Sequence, residues 1–334
     1  MAVALTPGPP SAPGDDRPRV IVAAPSFSDR IFRLVMRAAG LSVLVMTGLI
    51  LVFLILRSLT AFRAVGFRFF TTETWFIGTN QFGIGAILPL GILIALIALI
   101  IAVPVGLASA LFISEYAPPR LRRALIALID LMAAIPSIIV ALFGLYFVMP
   151  RILGTASWLA QHLGFIPVFH FTKPNSPGNF VASTFIAGVV VSVLVIPIIT
   201  SLSRQVFSQA PQGEREAAYA LGSTKWGMVR TVVLPYGRAG MIGASMLGLG
   251  RALGETIAVS FILTPIFVFN SHVLQAGGNS VTYMIANFVL EAGTKGISAL
   301  FAAGLVLFTL TLVVNTIAAI IINRSRSGAT ASAD

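Results

Sequence analysis

Cysteine is absent from the 334 residues. That excludes disulfides, thiol catalysis and cysteine-ligated metals. Charge is scarce as well: Asp, Glu, Lys and Arg together make up 10%, where soluble domains run near a quarter. The acidic residues are the scarcer sign, 11 against 22 Lys and Arg, leaving a net charge of +11. Only three histidines occur, His162, His170 and His272, and they lack the spacing of metal ligands. No Gly-x-x-x-x-Gly-Lys-Ser/Thr phosphate loop is present, so the chain is not expected to be an ATPase by that chemistry, and no cofactor or metal is expected.

Apolar residues fill the place of the missing charge, 57% of the chain at a mean hydropathy of +0.95. This is the composition of an integral membrane protein. A net charge of +11 in a soluble chain would suggest nucleic acid. Here no basic patch interleaves with aromatics, and no nucleic-acid partner is expected; the bases sit at the ends of apolar runs, next to lipid headgroups.

Residues 1–28 are rich in Pro, Ala and Gly and read as a disordered cytoplasmic tail. Asp29–Arg37 alternates basic and apolar groups at helical spacing. It is either a helix on the membrane surface or the positive flank of the first span. Within a membrane domain of residues 29–323, six apolar runs are long enough to cross a core of about 30 Å. They lie near 38–56, 86–113, 124–149, 181–202, 240–267 and 299–322, with a polar insert at 203–238 and a short cytoplasmic tail at 324–334. The expected fold is therefore all-α, with six transmembrane helices.

Basic residues orient it. Arg30, Arg33 and Arg37 precede the first run, and Arg120, Arg122 and Arg123 follow the second. Arg204, Arg215, Lys225, Arg230 and Arg238 lie between the fourth and fifth runs, and Arg324 and Arg326 follow the last. The segments 150–180 and 270–298 carry only Arg151, Lys173 and Lys295, although Arg57, Arg63 and Arg68 depart from the trend. The positive-inside rule then puts both termini in the cytoplasm. Pro89, Pro104, Pro136, Pro197 and Pro265 fall inside the runs and each can kink a helix.

Two stretches carry chemistry. In the insert, Arg215–Leu221 holds good helix formers and Gly222 is a natural stop. Ala217 and Ala218 would give this short helix a smooth face for another protein, and Glu216 a fixed charge for a basic partner. A plain connecting loop is the other reading. In the fifth run, Arg251 and Glu255 are four residues apart and share a helix face. Gly240, Ala244 and Gly248 fall near the same face, and small residues at that spacing let another helix approach closely. The charges are thus expected to point inward. An ionisable group at mid-membrane costs roughly 2.5–3.5 kcal/mol, so it marks either a functional pathway or a self-neutralising pair that pins the bundle. Arg presents a planar fork of donors that suits an oxyanion, and Glu255 would neutralise it between passages. Asp130 is a weaker candidate of the same kind.

Glu216-Ala217-Ala218, Gly222, Val232, Leu234 and Pro235 follow the spacing E-A-A-x3-G-x9-I-x-L-P, with Val232 where Ile is usual. This resembles the EAA loop of bacterial ABC-importer permeases, a coupling helix that docks on a cytoplasmic ATPase. The runs GLGRALGETIAV (248–259), IAVPVGLASALFISEYAP (101–118) and DRIFRLVMRAAG (29–40) resemble the PstC permeases of phosphate-specific importers over most of 29–322. The resemblance implies a type I importer permease fold in the bacterial plasma membrane and phosphate passage involving Arg251 and Glu255. It also implies a PstA-like second permease, two PstB-like ATP-binding subunits and a PstS-like extracytoplasmic phosphate-binding protein. A permease for sulfate or molybdate, or an ion-gradient transporter acting alone, are the alternatives.

Overall fold

A computed structural model describes residues 27–171 and 180–326. The expected tails, apart from their edges at 27–28 and 324–326, lie outside the described residues. So do 172–179 of the expected loop 150–180, with Lys173, Pro174 and Pro177.

The chain divides into two compact units, residues 1–51 and 52–334. The described part of the first is the opening of helix α1 (Phe27–Val65), a single helix through the 29–40 stretch with every residue of 27–50 exposed. Apolar side chains such as Leu34, Leu44 and Met46 stand outward there, as in a helix solvated by lipid.

In the second unit the last turns of α1 lead through Gly66–Phe70 into a small hairpin. Its strands β1 (Trp75–Phe76) and β2 (Gln81–Phe82) are antiparallel, with Trp75 opposite Phe82. Then follow α2 (Ile87–Leu111), prolonged by a wide π turn over Phe112–Tyr116, and α3 (Pro119–Ala134). Next, α4 (Ser137–Phe143) and α5 (Met149–His162) are joined without a break by a π turn at Gly144–Val148. Helix α6 covers Thr184–Ser208, and α7 Gln212–Ala220. Helices α8 (Lys225–Met228) and α9 (Leu234–Gly254) are again fused through a π turn, Val229–Val233. The chain closes with α10 (Ile257–Ile262), α11 (Val281–Phe288) and α12 (Thr294–Arg326).

Among the described residues, six helical stretches are long and apolar enough to cross a membrane: Phe27–Phe70, Ile87–Tyr116, Ser137–His162, Thr184–Ser208, Lys225–Gly254 and Thr294–Ile322. Helix α6 is the axis, with buried side chains along its whole length. Its neighbours reach it through glycines. A Cβ built on Gly106 of α2 would lie 2.8 Å from Ile199 Cγ2, and one on Gly144 2.6 Å from Val190 Cγ1. A side chain at either position would force Ile199 or Val190 to shift, so the backbones approach closely, which is how helices associate where lipid gives no hydrophobic drive. The main core joins α2, α4, α6, α9 and α10 around Ile94, Val190, Val195, Ile199 and Val259.

Three expected boundaries move, each for a local reason. The run 124–149 is not one helix. Ile135 and Pro136 are extended, so α3 ends at Ala134 with no buried residue, and the spanning stretch is Ser137–His162. Proline disfavours a helical residue before it and cannot donate to the preceding turn. The expected loop 150–180 shrinks accordingly: Trp158, Leu159 and His162 belong to α5. The run 240–267 starts earlier and breaks sooner, spanning Lys225–Gly254. The π turn before Pro235 opens the backbone where proline would otherwise crowd residue 231. Pro104 and Pro197 do lie within helices, whereas Pro265 lies outside them and bridges to Gly278.

Candidate functional site

Helix α9 meets α6 along the small-residue stripe. A Cβ on Gly248 would lie 2.8 Å from Val195 Cγ1 and 3.0 Å from Ile199 Cδ1. One on Gly240 would clash with Val206, and Ala244 between them is buried. Val195 and Ile199 are near the middle of α6, which puts the end of α9 at mid-height in the bundle.

There the helix stops. Glu255 is extended (φ −69°, ψ 123°), and α10 begins at Ile257. Glu255 Oε1 accepts from the Ala258 backbone N–H at 3.2 Å, supplying a partner to one of the open donors in the first turn of α10. Its carbonyl accepts from Thr282 Oγ1 of α11 at 2.9 Å, and Ser260 Oγ accepts from Asn287 Nδ2 of α11 at 3.2 Å. The break is therefore bracketed by α11. The Glu255 side chain is 4% exposed.

Arg251 behaves differently from the expectation. Its side chain is 48% exposed, and its Nη2 approaches Glu255 Oε2 only at 3.6 Å, beyond hydrogen-bond distance. No hydrogen bond to it is present among the described residues. The long side chain leaves the packed seam and enters an open groove of about 460 Å3 lined by Ile198, Leu247, Gly250, Thr311 and Asn315. Glu255 is thus committed to α10, and Arg251 keeps its donors available. Within this chain the two form a loose ion pair with no hydrogen bond between them. A cation at mid-height, half open and with unused donors, can hold an oxyanion briefly and release it. Asp130 lies exposed on α3, away from this groove.

The polar insert folds as a helix, a turn and a second helix. Gly222 has φ +82°, and Ser223 N–H reaches Ala218 O at 3.0 Å while Gly222 N–H reaches Tyr219 O at 2.9 Å. This is a Schellman end, which needs a residue that adopts left-handed backbone without strain. Thr224 then caps α8 by accepting from the Gly227 N–H at 3.1 Å. Glu216 and Ala217 face out, with Glu216 bonded by Gln212 Nε2 at 3.1 Å. Ala218 does not join them. It is buried against Ala110, Phe207, Met228, Val229 and Val233, so only Ala217 of the two alanines is on the outer face. Helical spacing makes this unavoidable, since consecutive residues lie about 100° apart. Leu234 packs beside that cluster, and Pro235 is exposed in the first turn of α9.

Two features went unread in the sequence. Around Glu216 and Ala217 stand exposed apolar groups: Leu221 at 87%, Trp226 at 56% and Tyr219 at 44%. Their clustering depends on the turn at Gly222. The other is an ion pair between Arg215 Nη1 and Glu115 Oε2 at 2.7 Å, 100 residues apart in the chain. Arg215 had the look of a topology signal; instead its side chain is 14% exposed and holds the insert to the end of α2.

Apolar spanning helices, a surface helix with an apolar knob at one end and a loosely paired, half-open cation at mid-height fit a multi-pass membrane transport subunit. Residues 102–327 match the family described as binding-protein-dependent transport system inner membrane component. The chain is 40% identical over 294 residues to the phosphate transport system permease protein PstC 2 of Mycobacterium tuberculosis, covering 87% of this chain and 90% of that one. It is 36% identical to PstC of Mesorhizobium japonicum over 316 residues (91% and 93%) and 38% identical to PstC of Pasteurella multocida over 297 residues (88% and 91%). The chain belongs to the inner membrane components of binding-protein-dependent transport systems and, within them, to the PstC permeases. A solved bacterial ABC transporter involved in import of the acidic polysaccharide alginate shares the fold, with TM-score 0.52 at 18% identity over 88% of this chain and 99% of that one. The protein is accordingly a multi-pass protein of the cytoplasmic membrane.

Proposed function

We propose that this chain is the permease subunit that passes inorganic phosphate into the cell within an ATP-driven importer, alongside a PstA-like second permease. Two PstB-like subunits hydrolyse the ATP, and a PstS-like protein delivers phosphate from outside. Both termini and α7 face the cytoplasm, in keeping with the basic residues at 120–123 and 204–238. Glu216, Ala217, Tyr219, Leu221 and Trp226 form the docking surface for an ATP-binding subunit. Closure of the ATPase pair pushes on α7 and turns the bundle from inward-open to outward-open.

The observation that carries the reading is the Arg251 side chain, half exposed at mid-height in an open groove lined by α6, α9 and α12. The PstA-like subunit completes that groove. Phosphate crosses it by exchanging water for the guanidinium fork, and Glu255, held back on α10, keeps the local potential from trapping the anion. Uptake of labelled phosphate by the reconstituted complex tests this. Arg251→Gln loses a charged hydrogen-bond donor worth about 1.5–3 kcal/mol, roughly 10- to 140-fold. Uptake is expected to fall by that factor while the subunits still co-purify. Uptake at the normal rate would remove Arg251 from the path. Competition by sulfate or molybdate in the same assay separates phosphate from other oxyanions.

A further inference from the structure

The end of α2 is gripped by the docking segment. Glu115 lies in the π turn Phe112–Tyr116 that finishes this spanning stretch, and its side chain is 4% exposed. Both carboxylate oxygens are engaged: Oε2 accepts from Arg215 Nη1 at 2.7 Å, and Oε1 from Ser114 Oγ at 3.1 Å. Arg215 spends the rest of its fork on the end of α6. Nη2 donates to Phe207 O at 2.6 Å, and Nε to Ala210 O at 3.2 Å. One guanidinium on α7 thereby binds the terminal turns of two spanning helices. Two further cations hold the same π turn. Arg122 of α3 donates to Ser114 O at 2.8 Å, and the Lys225 ammonium of α8 sits 4.8 Å from the Tyr116 ring centre.

A π turn is a widened piece of helix, frequent at functional sites. This one is tied to the segment that receives the push through Arg215 and Lys225, and to α3 through Arg122. The contacts continue inward. Gly106 of α2 and Gly248 of α9 abut the same Ile199 of α6, and Arg251 is three residues beyond Gly248. A physical line thus runs from α7 through α2 and α6 to the groove.

We propose that Arg215 and Glu115 are positioning residues for coupling: the pair hands displacement of α7 to α2 and α6, and so to the Arg251 groove. This rests on the reading of α7 as the docking element. A structural role alone would cost assembled complex and leave each ATP doing its full work. A coupling role changes the phosphate moved per ATP hydrolysed. In proteoliposomes holding the whole complex with its binding protein, Glu115→Gln keeps a hydrogen-bond acceptor but removes the charge that holds Arg215. The expected result is a phosphate-to-ATP ratio lowered at least about fivefold, the lower bound of ordinary coupling between sites, with hydrolysis persisting in complex that still co-purifies. An unchanged ratio in assembled complex overturns the proposal.

Hydrogen exchange on the unmodified complex frees the test from any folding defect. Adding a non-hydrolysable ATP analogue is expected to change protection at 212–220 and at 112–116 together. Change at 212–220 with none at 112–116 overturns this proposal and spares the docking reading; no change at either overturns both.

Discussion

Arg251 and Glu255 show how little of a residue's role follows from its neighbours in the chain. Spacing put them on one face, and they are indeed within 3.6 Å. Yet the helix ends between them, and the carboxylate turns to Ala258 N–H while the guanidinium turns outward. A single backbone change at Glu255 loosens a closed pair into an ion pair without a hydrogen bond, the carboxylate fixed on α10 and the guanidinium donors left open. Gly222 is the residue that spacing did reveal, because a left-handed helix end leaves a mark in the sequence. With φ +82° and nothing within 4 Å of a built Cβ, its constraint is purely conformational. Gly222→Ala is expected to cost about 1–2 kcal/mol through left-handed strain and to lower the melting temperature of the purified complex. Gly222→Asn, which tolerates that backbone, should recover most of the loss. Equal melting temperatures for all three would mean the turn has relaxed to another form.

Among elements, apolar run length pointed to six spanning helices but missed where the third and the fifth break or fuse. Hydropathy averages over a window of residues; a break is made by one or two. Ile135-Pro136 splits the third run, Glu255 the fifth, and the π turn at Val229–Val233 joins what Pro235 would have parted. The Arg215–Glu115 pair was illegible for a different reason: nothing local to either residue names a partner 100 positions away. The seam between α6 and α9 was legible, because Gly240, Ala244 and Gly248 recur at helical spacing and Val206, Val195 and Ile199 fill the space they leave. Gly248→Leu forces a side chain onto Val195 and Ile199, an overpacking worth roughly 1–3 kcal/mol. The expected outcome is less assembled complex and a lower melting temperature, whereas Gly293→Ala, with open space at its Cβ and away from both the seam and the Arg251 groove, leaves both unchanged. If the two variants melt alike, the seam is not close-packed.

Across the whole molecule, sidedness links the two sites. The proposed mechanism needs α7 in the cytoplasm and the 263–280 segment outside, with the Arg251 groove between them. The bundle places the two at opposite ends of α6: Ala218 packs beside Phe207 near its C-terminal end, and Val273 O accepts the Phe185 N–H at its start. The absence of cysteine makes this directly measurable, since any introduced thiol is the only one in the chain. Gly213 at the start of α7 has open space for a side chain, and Ser271 is exposed in the opposite segment. In intact cells, a membrane-impermeant maleimide is expected to label Ser271→Cys and to leave Gly213→Cys untouched. Solubilising the membrane with detergent should make Gly213→Cys reactive as well. The reverse pattern would put the docking helix outside, away from ATP, and the Glu216–Trp226 surface would then have to receive something other than an ATPase.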